Sequence, residues 1–122
     1  MCIRDSFKAI NDALGHAAGD TVLKAVAWTT RQTVRQSDTV ARLAGDEFTV
    51  LCENLDTPEQ AAQVAAKLEQ ALAQPLDLNG RVQPIRASVG FALFPRDATD
   101  AGGLMAAADA AMYRAKQRNR GA

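Results

Sequence analysis

Cysteine and histidine are nearly absent from this sequence, with two of the first and one of the second in 122 residues. Cys2 and Cys52 make neither a Cys-x-x-Cys pair nor a bridged framework, and His16 has no His or Cys neighbour, which argues against zinc and structural disulfides. Net charge is missing too. Fourteen acidic and fourteen basic residues cancel, so no global field draws the chain to nucleic acid or an anionic membrane, and any anion site is local. No apolar run reaches the ~18 residues of a membrane span, and the start lacks the apolar stretch of a signal peptide. These absences read as a cytoplasmic, reduced setting without membrane contact. The length holds one domain, burying roughly 65% of its unfolded surface.

What is present is a mixture of helical and strand patterns. Leu23, Val26, Ala27, Thr30 and Val34 share one face between Thr21 and Arg35, an amphipathic helix that Asp20 is placed to start. Asp38–Leu43 and Phe48–Cys52 alternate as a hairpin with Ala44–Glu47 at its tip. Thr57, Pro58 and Gln60 carry the signals of an N-cap, a first-turn proline and a capping box. Val64, Leu68, Ala71 and Leu72 then form the buried stripe. Asn79-Gly80 marks a second hairpin, and Ile85, Ala87, Val89, Phe91 and Leu93 alternate as a long strand ended by Pro95. Leu104, Ala108, Ala111 and Ala115 line a small-residue terminal helix. The sum is an α+β or α/β sandwich around a mostly antiparallel sheet flanked by helices.

The chemistry is concentrated at "AGDEF". Adjacent carboxylates on a tight turn, Asp46 and Glu47, suit a shared Mg²⁺, which takes oxygen ligands from one or two carboxylates and from a substrate's phosphates. A solvated acidic turn is the plainer alternative.

"FKAINDALGHAAGD" (7–20), "DTVARLAGDEF" (38–48), "ASVGFALFP" (87–95) and "ADAAMYRAK" (108–116) together resemble the GGDEF-domain family, the diguanylate cyclases, from Phe7 nearly to the end. The resemblance implies a fold similar to the palm of nucleotide polymerases and cyclases. It also implies condensation of two GTP into cyclic di-GMP and two pyrophosphates by a homodimer in bacterial signalling, with Mg²⁺ or Mn²⁺. In its terms Asp46 and Glu47 are metal ligands and Asp46 a base, with Lys8 beside the transition state. Asn11, His16 and Asp20 hold the nucleoside, and an amide beside a carboxylate selects guanine. Ala44 and Gly45 line the phosphates, and Lys116 and Arg120, four apart on one helical face, grip the terminal ones. Arg35 and Asp38 of "RQSD" stand where the family has its inhibitory RxxD site for cyclic di-GMP. Each has a structural alternative: helix capping for Asn11 and Asp20, a surface position for Lys8, dipole compensation for the terminal cations, and an ion pair worth ~0–1 kcal/mol for Arg35 and Asp38.

Three departures stand out. Ala44 replaces the signature's first glycine, at a cost of roughly 1–2 kcal/mol if a left-handed backbone is required there. Ile3 stands where the family's first aspartate should ligate metal, and Asp5 matches the second. Asn119 replaces the glycine before Arg120. Met1–Ser6 read as a non-native scar, and 7–122 as a partial domain without the family's first strand and helix, inactive alone. The parent is expected to carry sensory or phosphodiesterase domains. The alternative is a degenerate module that binds GTP or cyclic di-GMP as a sensor.

Overall fold

The computed structural model describes residues 1–78, 80–83 and 85–121, with backbone alone at 4–6, 44, 81, 83 and 119–121. Eight elements follow in chain order: α1 (Arg4–Leu14), α2 (His16–Thr33), β1 (Thr39–Ala44), β2 (Glu47–Leu51), α3 (Pro58–Leu72), β3 (Leu76–Leu78), β4 (Arg81–Gln83) and α4 (Ala101–Gly121). Both hairpins form antiparallel pairs, Thr39 opposite Leu51 in one and Leu76 opposite Gln83 in the other. The entering residues Met1–Ile3 continue the first sheet. Cys2 bridges Glu47 on one side and Ser88 on the other, both antiparallel, and exchanges both backbone hydrogen bonds with Ser88 at 2.9 Å. The result is the α+β arrangement expected, a mostly antiparallel sheet with helices against it.

Local chemistry explains the elements that the sequence announced. α3 begins with a complete capping box, in which Gln60 N–H donates to Thr57 Oγ1 while the Gln60 side chain accepts from the Thr57 N–H. Leu68 and Leu72 of the expected stripe are buried, and Ala61 joins them. The β1–β2 hairpin has a tighter tip than expected, because Ala44 and Glu47 pair and leave Gly45 and Asp46 as the turn. In the second hairpin Asn79 lies outside the described residues. Gly80 has φ 91°, the left-handed region glycine favours, and donates to Asp77 Oδ1 at 2.8 Å.

Three expectations are corrected. α2 starts at His16, so Asp20 does not begin the helix; the break is Gly15, with φ 92° between α1 and α2. The buried face of α2 keeps Val26 and Thr30 of the expected stripe, with Leu23 and Ala27 packed at the edge of the core, but it is centred further over, on Ala18, Gly19 and Val22. No strand extends over Ile85–Leu93, where Ser88 makes a single bridge. Its neighbour supplies only three extended residues before α1 begins, and alternation without a partner cannot make a ladder.

Ile3, Ile10, Val22, Val26, Phe48, Leu72, Leu78 and Ile85 form the core between the sheet and the helices. α4 approaches the 85–93 segment on small residues. An ideal Cβ on Gly90 would lie 2.1 Å from Met112 N and 2.6 Å from Ala111 C, so at this point the two backbones are in contact. Beside this contact, β2, α3, 89–94 and α4 surround a groove of about 560 Å³ lined by Leu51, Leu68, Phe91 and Met112.

Candidate functional site

The hairpin tip and the entering residues build the acidic centre. Ile3 N–H donates to Asp46 O at 3.0 Å and Phe48 N–H to Met1 O at 2.9 Å, which fixes the turn against the head of α1. Asp46 and Glu47 are both half-buried. One oxygen of each and the Cys2 sulfur lie within 4.8 Å of one another. Two carboxylates at this spacing fit one divalent cation completed by water and phosphate oxygens. Ile3, at the position where an aspartate was expected, is fully buried in the core and offers no ligand. Ala44 is the last residue of β1, paired with Glu47, a strand position any L-residue takes; its side chain is outside the described residues. Gly45 is exposed, and among the described residues left-handed φ occurs at Gly15, Asn54 and Gly80.

The nucleoside candidates sit on the α1–α2 pair. Asn11 comes from α1, and its Oδ1 is buried without a hydrogen-bond partner among the described residues. That oxygen rests on Gly19, where an ideal Cβ would meet it at 1.8 Å. Lys8 on α1 and His16 and Asp20 on α2 are exposed. Sequence reasoning missed α1 itself and the role of Gly19 beneath Asn11; the Gly in "GHAAGD" was the available signal. On α4 Lys116 is half-buried, and the side chain of Arg120 lies outside the described residues.

Arg35 and Asp38 close on each other. The Asp38 side chain is only 2% exposed and accepts from Arg35 N–H at 2.9 Å, while the Arg35 guanidinium reaches its other oxygen at 3.4 Å and the Glu53 carbonyl at 2.5 Å. Arg31 donates to Asp38 O at 2.7 Å and to Arg35 O. This knot, at the end of α2 and the start of β1, holds the Asp38 carboxylate inward. Beside it burial, and next the Asp38 charge, push the half-buried Cys52 thiol above its ordinary 9.0. Unfolding returns Cys52 to that value, so the unfolded chain releases the proton first. The thiol's contribution to stability is therefore intact below about pH 9 and is lost as pH rises through the higher folded value. Urea titrations at pH 8 and 10 are expected to show a smaller loss for Cys52→Ser than for the parent chain.

The model of the diguanylate cyclase GGDEF domain matches residues 1–122. The chain belongs to the GGDEF family. It is 47% identical over 116 residues to MucR of Pseudomonas aeruginosa, a bifunctional diguanylate cyclase/cyclic di-GMP phosphodiesterase, covering 95% of this chain and 17% of that protein. It is 44% identical over 118 residues to the diguanylate cyclase TpbB of P. aeruginosa, covering 96% and 27%. The chain thus spans less than a third of the length of these relatives. The crystal structure of the TpbB GGDEF domain superposes with a TM-score of 0.88 at 43% identity, covering 93% of this chain and 71% of that one. The active GGEEF domain of a Vibrio cholerae diguanylate cyclase gives 0.77 at 28%, covering 93% and 72%. The palm-like α+β fold of the GGDEF domain is therefore the fold of this chain. No helix among the described residues is long and apolar enough to cross a membrane.

Proposed function

We propose that this GGDEF domain belongs to a diguanylate cyclase that joins two GTP molecules into cyclic di-GMP, one GTP on each subunit of a homodimer in the bacterial cytoplasm. The observation that carries the reading is the Asp46–Glu47 pair held at the hairpin tip beside the nucleoside-side helices. Asp46 and Glu47 would hold Mg²⁺ or Mn²⁺, which supplies neutralisation of phosphate charge when bound. The Asp46 carboxylate accepts the proton of the attacking ribose 3′-hydroxyl, and Lys8 faces the charge that develops on the α-phosphate. Asn11 and Asp20 read the guanine edge, His16 lies beside the nucleoside, Ala44 and Gly45 border the phosphates, and Lys116 and Arg120 take the terminal ones. Arg35 and Asp38 serve product feedback once their mutual contact opens toward cyclic di-GMP.

Residues 7–122 are, in this reading, part of a domain whose first strand and helix lie upstream, with Met1–Ser6 replacing native residues. Further sensory or phosphodiesterase domains complete the parent in this reading, which the bifunctional cyclase and phosphodiesterase MucR supports. One observation favours a second reading, a regulatory module that binds GTP or cyclic di-GMP without turnover: Ile3 buried where a ligating carboxylate was expected.

The deciding experiment measures cyclic di-GMP formation from GTP and Mg²⁺ by the full-length protein with native upstream residues and enforced dimerisation. Product formation supports the cyclase. A folded dimer that binds either nucleotide and makes none overturns it in favour of the sensor. Gly19 gives a sharper check on the guanine subsite. Gly19→Ala gains about 1 kcal/mol of helix propensity but drives the Asn11 amide from its seat. Guanine nucleotide affinity is expected to fall about tenfold, with thermal stability close to the parent's, in calorimetric titration.

A further inference from the structure

We propose that Arg31 is the positioning residue of the feedback site: its guanidinium holds the backbone of the 35–38 turn in the shape that presents Arg35 and Asp38 to cyclic di-GMP. This role rests on the reading of Arg35 and Asp38 as a product-binding pair, and it adds a residue four positions upstream of their motif. Arg31 spans the turn with a fork. One terminal nitrogen donates to the Asp38 carbonyl at 2.7 Å and the other to the Arg35 carbonyl, so the first and last residues of the motif are tied to one rigid group. The Arg35 carbonyl also accepts from Asp38 N–H at 3.0 Å. The bond that closes the turn and the bond that anchors it thus meet on the same oxygen.

A plainer role for a cation in the last turn of α2 is to satisfy that helix's own carbonyls. The bonds of Arg31 run instead past the helix end at Thr33 to residues 35 and 38, while Val34 N–H caps the helix on Thr30 O at 3.1 Å. The fork serves the loop. It also grips atoms that the ligand does not need. Arg35 holds the Asp38 carboxylate by its backbone N–H on Oδ2 at 2.9 Å and by its guanidinium on Oδ1 at 3.4 Å, a long contact for a charged pair. The Arg35 side chain is 52% exposed and is the part free to turn. When it swings to a guanine edge it releases Oδ1 to accept from a base N–H, whereas the Oδ2 bond and both Arg31 bonds hold main-chain atoms and stay. Without Arg31, two carbonyls beyond the negative end of α2 lose their cation, and the turn is left on the bonds between Arg35 and Asp38 themselves. Binding then has to order the turn as well as fill it.

The test is calorimetric titration of the full-length protein with cyclic di-GMP, comparing the parent with Arg35→Ala, Arg31→Ala and Arg31→Lys. Binding lost in Arg35→Ala defines the feedback site and separates it from any other site for this ligand. At that site Arg31→Ala is expected to weaken cyclic di-GMP about tenfold, the scale of losing hydrogen bonds from a charged group. Arg31→Lys is expected to weaken it by roughly threefold, because one ammonium keeps the charge and cannot span both carbonyls as a planar fork. Affinity for a non-hydrolysable GTP analogue stays at the parent's value in both variants. A general loss of structure would lower the two affinities together, and simple attraction of charge would leave Arg31→Lys at the parent's affinity. Either result, or unchanged affinity in Arg31→Ala, overturns the positioning role while Arg35-dependent binding upholds the feedback reading. If Arg35→Ala binds like the parent, or the parent does not bind, the feedback reading fails and the role of Arg31 fails with it.

Discussion

Replacing Gly90 by alanine is expected to push α4 away from the 85–93 segment and to lower the thermal midpoint by roughly 5–15 °C, with the chain still folded at room temperature. The added methyl would fall 2.1 Å from Met112 N and 2.6 Å from Ala111 C. These are backbone atoms in the middle of a helix, so no rotamer change relieves the clash, and the helix must move by more than an ångström. Overpacking of this kind costs about 1–3 kcal/mol, and the upper end applies where backbone meets backbone. Small domains have only about 5–15 kcal/mol in hand, and a short chain sits at the low end. A displaced α4 would also move buried Ala115 and neighbouring Lys116, the residue proposed to take a terminal phosphate. Thermal melting by circular dichroism checks the stability loss. A melt within a degree or two of the parent's would show that the interface is looser than the 2.1 Å approach implies.

Asp46→Asn in the full-length protein is expected to lower cyclic di-GMP production at least a hundredfold while leaving guanine nucleotide affinity within a few-fold. The amide keeps the shape of the side chain and its place in the turn, where the backbone carbonyl of residue 46 still accepts from Ile3 N–H. It removes the charge that attracts a cation and the basicity that takes a proton. Either loss is worth several kcal/mol in the transition state, and about 1.4 kcal/mol corresponds to tenfold. The proposed guanine contacts come from α1 and α2 and do not pass through this carboxylate. Initial rates with a chromatographic product assay, beside equilibrium binding of a non-hydrolysable GTP analogue, separate the two effects. Unchanged turnover would remove Asp46 from the chemistry, and a parallel loss of binding would make it a substrate anchor.

Some elements were legible because short-range physics fixes them. Thr57, Pro58 and Gln60 agree on one helix start, and the alternation on either side of Gly45-Asp46 permits only a hairpin. α1 was not legible because its start carries no such signal. Ile3 precedes it without a side-chain cap, and its helix forms against α2. Asp20 misled for the opposite reason, being an N-cap type placed one turn inside α2, where Gly15 makes the break. The alternating run Ile85–Leu93 has strand character but only a three-residue neighbour. Motif order brought the acidic turn and the α1–α2 residues into one family site. It was silent on Cys2, whose position depends on pairing with residues more than forty positions away.

The bond from Ile3 N–H to Asp46 O gives the entering strand a mechanical meaning. That strand is stitched to β2 on one edge and to Ser88 on the other, and the next stitch along is the acidic turn itself. Sliding that strand by one residue, about 3.3 Å, would exchange the core-facing and solvent-facing sides of every residue in it. Any displacement of that strand would thus reach the acidic turn through backbone and hydrogen bonds, a direct linkage rather than a diffuse change in packing.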